Sequence, residues 1–304
     1  MPSPNLPTPA RTQLAKGVAL GIISSFLGST GALASKQLTQ TLNISTIVLV
    51  QYLFCILLTL PWLLRHGRRG LATKYPWTHL IRGLSGCGCF YAFYATLEHI
   101  PLVDATLLRN TAPLMVPIVL LVWYGVKVPR ANLLPLAIGF VGIIFILKPS
   151  TDGLGLWSLV ALSSGIGLAI SMVSTRTLAR HEPESRILFY YFTTSLLLAV
   201  PFYLIDPEPI PLSAWPLLLY IGGGMYIAFM LYTRAYSYVS ASVLSPTNYF
   251  GVVFAGFFDW LLWQHVPDLA GLIGIALVIS GGILVLRMGK EEPEVETEMG
   301  TERL

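Results

Sequence analysis

Apolar runs of membrane-crossing length follow one another almost end to end through this chain, and nothing else in it restricts the fold so sharply. A helix needs about 20 residues to cross the roughly 30 Å hydrocarbon core of a bilayer. Within that core every backbone N–H and C=O must find its partner inside the protein, which leaves helices and closed barrels. Barrel strands alternate in polarity, whereas these runs are solidly apolar, so the sequence predicts an all-α membrane protein. The charge content agrees: 11% of the 304 residues are Asp, Glu, Lys or Arg, against about a quarter in soluble domains.

Ten transmembrane helices are expected, over residues 16–38, 44–64, 78–99, 102–124, 131–147, 154–178, 187–205, 214–237, 240–262 and 268–287. Nine or eleven are the alternatives, because the fifth run is short and only "HIPL" separates the third from the fourth. Lys and Arg concentrate on the cytoplasmic side of membrane proteins. With the N-terminus inside, that side receives every basic residue except Lys36 and Lys148, which fall outside, and Arg109, which falls within a span. Both termini are therefore expected in the cytoplasm, with the protein in the inner or plasma membrane. Residues 1–13 form a short cytoplasmic lead, and the acidic tail 289–304 is too poor in apolar residues to pack. Arg11 and Lys16 before a run ending in "GALAS" also resemble a cleavable signal peptide, but cleavage would leave nine spans.

The ten spans divide into two sets of five, residues 14–150 and 151–288, whose motifs recur in the same order. "VDATLLRNT" at 103–111 pairs with "VSASVLSPT" at 239–247, "VP" at 128–129 with "VP" at 266–267, and "SKQL" at 35–38 with "TRTL" at 175–178. An odd number of helices per set forces the second to enter the membrane upside down. The expected architecture is thus a pair of inverted five-helix repeats, which in transporters enclose a substrate site near the midplane.

Two longer stretches resemble one known family. "RGLSGCGCFYAFYATLEHIPLVDATLLRNTAPLMVP" at 82–117 and "RAYSYVSASVLSPTNYFGVVFAGFFDWLLWQHVPDLAGLIGIALVISGGIL" at 234–284 are similar to helix-turn signatures of the drug/metabolite transporter superfamily, EamA-like group. The resemblance covers about residues 14–288 and is specific for the fold, not for a substrate. Members commonly carry a glutamate in a "GE" before the fifth and tenth helices. Here Val126 and His265 stand at those places, so no role of those acids is carried over.

Ionisable groups at membrane depth are functional candidates unless they can reach water at a helix end. Arg109 lies about 8 residues, or roughly 12 Å, into its span, where an arginine costs about 3 kcal/mol on insertion scales. Its fork of donors suits a carboxylate or phosphate; a permanent salt bridge to Asp104 or Glu98 is the alternative. Cys87, Tyr91, Tyr94 and Glu98 share one helical face by spacing, so Tyr91 and Tyr94 join Arg109 as candidate substrate contacts. In the second half, "LSPTNYFG" puts Asn248 and Tyr249 at the corresponding level beside a helix loosened by Pro246. Ser24 and Ser164 lie among small residues that favour close helix crossings, and their hydroxyls could also meet a substrate. Glu98, Arg234 and Asp259 are candidate gate or proton sites, and interface anchoring accounts for each equally.

The expected function is secondary transport of a small organic metabolite by alternating access, with an amino acid or similar zwitterionic or anionic compound foremost. Export of amphipathic drug-like or lipid-like compounds is the second reading. An intramembrane enzyme is the rival of another class, but the sequence shows no H-E-x-x-H, paired intramembrane aspartates or Ser/His pair to support one. Cys55, Cys87 and Cys89 all fall inside spans and read as packing residues, without the second Cys/His pair a metal would need. Nothing implies a cofactor, a P-loop or a nucleic acid. The expected partners are the substrate, the lipid bilayer, and protons or a counter-substrate.

Overall fold

The computed structural model describes residues 8–125, 130–147, 155–179, 181–235, 238, 244–264 and 268–288, which are helical apart from short turns and contain no strand. In chain order the helices are α1 Thr8–Leu38, α2 Ile44–Leu71, α3 Pro76–Leu97, α4 Leu102–Arg109, α5 Ala112–Tyr124, α6 Arg130–Leu147, α7 Leu156–Ala179, α8 Glu184–Ile205, α9 Trp215–Ala235, α10 Tyr249–Trp263 and α11 Leu269–Met288. Short 3-10 turns precede α9 and α10.

Among the described residues, six stretches are long and apolar enough to cross a membrane: Ala15–Leu38, Ile44–Gly67, Leu102–Trp123, Leu156–Ala179, Glu184–Ile205 and Leu212–Ala235. Phe250–Trp263 and Leu269–Gly281 are shorter apolar helices. Leu57, Val122, Phe202 and Ile205 are among many large apolar side chains exposed on the outside, a surface suited to lipid rather than water. The chain is an integral membrane protein.

The fourth span, expected as one helix over 102–124, is broken into α4 and α5 at Asn110 and Thr111. Pro113 explains the break, since it has no N–H to give and its ring clashes with the carbonyl four residues back, at Arg109. Side chains add local bonds to neighbouring carbonyls at the break. Asn110 Nδ2 donates to Thr106 O at 2.9 Å and Thr111 Oγ1 to Leu108 O at 2.7 Å. Gly165 on α7 packs beneath this break, where a Cβ would lie 2.7 Å from Leu108 O. The same pattern recurs before α10. Thr247 Oγ1 donates to Leu244 O at 2.6 Å, and a Cβ on Gly21 of α1 would meet the Thr247 hydroxyl at 2.5 Å.

Helix pairing crosses the middle of the chain. α3 packs on α7, α1 on α9, α2 on α8 and α6 on α11, while α4 lies against both α7 and α10. Tyr52, Phe90, Phe93, Tyr191 and Phe192 form a buried aromatic centre among α2, α3 and α8. α1 begins at Thr8, ahead of its membrane-length stretch from Ala15. Val126, His265 and the tail 289–304 lie outside the described residues.

Candidate functional site

A cavity of about 180 Å³ opens among α1, α2, α3, α4, α7 and α9. Its lining includes residues from the body of several helices, among them Ser24, Ser29 and Ala32 of α1, Phe90 of α3 and Met225 of α9. Arg109 enters it as the last residue of α4. Two features offset the burial of this charge. The end of a helix presents unpaired carbonyls that favour a cation, and the guanidinium lies over the rings of Phe90 at 4.7 Å and Phe93 at 4.8 Å. Neither supplies a counter-charge. Arg109 makes no ion pair among the described residues, so the salt bridge to Asp104 or Glu98 is not formed. Its Nε–H is buried without a hydrogen-bond partner.

Of the other expected contacts, Tyr94, Ser24 and Asn248 line the cavity. Tyr94 donates its hydroxyl proton to Gln51 Oε1 at 2.5 Å, Ser24 donates to Ala228 O at 2.9 Å, and Asn248 Nδ2 donates to the Tyr232 hydroxyl at 3.3 Å. The 3-10 turn ending at Asn248 leads directly into α10, and α1 grips it: Ser25 and Ser29 donate to Thr247 O and Gly251 O at 2.8 and 3.0 Å. Tyr249 opens α10, and its side chain lies outside the described residues.

Five expected residues stand elsewhere. Tyr91 turns its ring to Phe202 of α8 at 5.0 Å and does not line the cavity. The face of α3 that lines it runs through Arg82, Gly86, Cys89, Phe90, Phe93 and Tyr94, about one residue round the helix from the face expected. Ser164 is buried and bonded to Ala161 O at 2.6 Å on its own helix. Glu98 caps α3 and is exposed, as is Arg234 at the end of α9. Asp259 is fully buried outside the cavity, with Oδ1 3.1 Å from Lys36 Nζ.

Two of the lining residues that sequence reasoning missed are Arg82 and Gln51. Arg82, one of the basic residues that the charge distribution puts on the cytoplasmic side, is only 2% exposed. Its Nε donates to Thr175 Oγ1 at 2.7 Å, its Nη1 to Ile187 O at 2.8 Å, and the guanidinium lies 4.6 Å from the Tyr191 ring centre. Gln51 on α2 is wholly buried, with Nε2 unpartnered. A polar amide eight residues into an apolar run was the available signal. Among the described residues that line the cavity there is no Asp or Glu.

The EamA-like transporter family model matches this chain twice, over residues 15–148 and 155–287. The chain belongs to the EamA-like transporter family. Members similar to it include the pseudopaline exporter CntI of Pseudomonas aeruginosa, 31% identical over 275 residues, or 90% of this chain and 94% of the relative. A riboflavin transporter of Brucella anthropi is 28% identical over 78% of this chain and 86% of its own length. An S-adenosylmethionine uptake transporter of Rickettsia felis is 22% identical over 90% of this chain and 94% of its own length. The family and these relatives are transporters, not enzymes, and among them are both an exporter and an uptake protein.

Proposed function

We propose that the protein moves a small organic metabolite across the inner or plasma membrane by alternating access, holding an anionic group of the substrate on Arg109. The carrying observation is that guanidinium: on a residue that lines the cavity, without an ion-pair partner among the described residues, and with its Nε–H buried and unpartnered. A charge kept in that setting against its desolvation needs a purpose, and a planar donor fork matches a carboxylate. An amino acid or similar compound is the reading from sequence; pseudopaline, riboflavin and S-adenosylmethionine, named for the relatives, are all small metabolites.

Ten spans in two inverted repeats, residues 14–150 and 151–288, are the architecture proposed to alternate. Two family matches of nearly equal length support it. So does the packing: exchanging the halves maps the α3–α7 pair onto α9–α1, and leaves α2–α8 and α6–α11 unchanged. The breaks at Leu108–Thr111 and Leu244–Thr247 share their hydroxyl bond and their glycine neighbour. Both termini are placed in the cytoplasm on the charge distribution, which makes the Lys36–Asp259 pair an outer closure. Protons or a counter-substrate would drive the cycle.

The test is uptake by vesicles reconstituted with the full chain and incubated in a mixture of bacterial metabolites, with and without a pH gradient, read by mass spectrometry. Protein-dependent accumulation of one or a few compounds is expected. A profile identical to empty vesicles under every gradient would contradict the reading.

A further inference from the structure

The cavity wall contains two guanidinium groups, Arg82 and Arg109, and no carboxylate among its described residues. Taking this cavity as the transport site proposed above, we infer that the substrate is net anionic: a carboxylate-bearing compound without a free ammonium group, gripped by Arg109, Gln51 and Thr106.

Unused donors mark the grip. Arg109 Nε, Gln51 Nε2, Thr106 Oγ1 and, on α9, Thr233 Oγ1 are all buried without hydrogen-bond partners, and all four residues line the cavity. Arg109 and Thr106 stand three residues apart on α4, so they share one helical face. Gln51 reaches the cavity from α2. Its amide is turned by Tyr94, whose hydroxyl proton occupies Oε1 and leaves Nε2 as the unused end. Tyr94 is thus a positioning residue. Buried donors left unmade are destabilising, so such a pocket is completed by a group that only accepts, and an ionised carboxylate does only that.

The opposite charge finds no carboxylate. The Phe90 and Phe93 rings already carry Arg109, and the Tyr191 ring carries Arg82. Tyr91 faces Phe202 away from the cavity. Tyr94, Phe229 and Tyr232 also line the cavity, and an ammonium over one of their rings would share it with two guanidinium groups and no carboxylate among the described lining residues. That like charge disfavours a substrate cation. This narrows the substrate from amino-acid-like compounds in general to acids whose amine is absent or blocked.

Thermal unfolding of the purified full chain in detergent tests this with two matched series: N-acetylmethionine, methionine and methionine methyl ester, and the same three derivatives of phenylalanine. The N-acetyl acids should raise the melting temperature at concentrations about tenfold lower than the free amino acids, and the esters should not raise it. Gln51→Leu should weaken the acids about tenfold. Gln51→Glu keeps an acceptor for Tyr94 but adds a carboxylate, and should reverse the order so that the esters stabilise and the acids do not. Wild-type protein that prefers the esters or free amino acids, ignores both N-acetyl acids, or keeps its order in Gln51→Glu overturns the inference. Ester binding that is lost in Gln51→Leu would overturn the charge assignment and leave the cavity as the site. Binding unaltered by both Gln51→Leu and Arg109→Lys would place the site elsewhere and remove the reading beneath it.

Discussion

Lys36 Nζ lies 3.1 Å from Asp259 Oδ1, and the second oxygen of that carboxylate accepts the backbone N–H of Val103 at 3.1 Å. One buried acid therefore ties the end of α1 and the body of α10 to the first turn of α4, the helix that ends in Arg109. Lys36 also lies over Trp263, 4.2 Å from the ring centre. Removing one member of a buried pair leaves an uncompensated charge, which costs about 3–5 kcal/mol. Lys36→Met should lower unfolding stability by about that amount, and Lys36→Met with Asp259→Leu should recover much of it. Denaturant titration of the purified variants reads both. A double variant no more stable than the single one would show that the Val103 bond, not the ion pair, holds this junction.

Gly165 should tolerate no side chain. An added Cβ would stand 2.7 Å from both Leu108 O and Thr111 Oγ1, and overpacking of this kind costs about 1–3 kcal/mol. Gly28, whose Cβ would meet nothing within 4 Å, is the matched control. Gly165→Ala should lower the melting temperature clearly and Gly28→Ala should not. Equal melting temperatures would mean that the α4–α5 break does not depend on the close approach of α7.

At the other end of the bundle, the loop after α2 is fastened to α8 through Glu182. Burial pushes this carboxyl's pKa up, but hydrogen bonds from Thr73, at 2.7 Å, and from Arg186 outweigh it, holding the group below its ordinary 4.5. A carboxyl depressed in the folded state contributes stability above its unfolded pKa and loses it as the pH falls through the folded one. Melting temperature should thus decline as the medium is acidified below about pH 4.5, and Glu182→Gln should be less stable at neutral pH with a flatter acid limb. Parallel pH profiles for the two proteins would contradict the assignment.

The sequence showed the helical membrane architecture plainly, because apolar runs near bilayer length have few other uses. Arg109 was legible for the same reason: counting residues from the start of its span gives its depth. Arg82 was not, since its position near a helix start looks like an anchor until Thr175 and Ile187 are seen to enclose it. Tyr91 was misplaced because helical spacing defines a face without saying which neighbour that face meets, and Phe202 comes from far along the chain. Lys36 and Asp259 lie 223 residues apart, so no local pattern could pair them. The proline-broken fourth span was visible in "NTAPL" once Pro113 is read as denying the helix a donor, yet the whole run's hydropathy favoured a single helix.

Transport by Arg109→Lys, measured in vesicles beside the wild type for whichever compounds the wild type accumulates, bears most directly on the role given to this cavity. A lysine keeps the charge and loses the planar fork. The variant should insert and melt like the wild type while losing at least about tenfold in uptake, with Arg109→Ala lower still. Wild-type uptake by a well-inserted Arg109→Ala protein would contradict the account and remove Arg109 from the substrate's path.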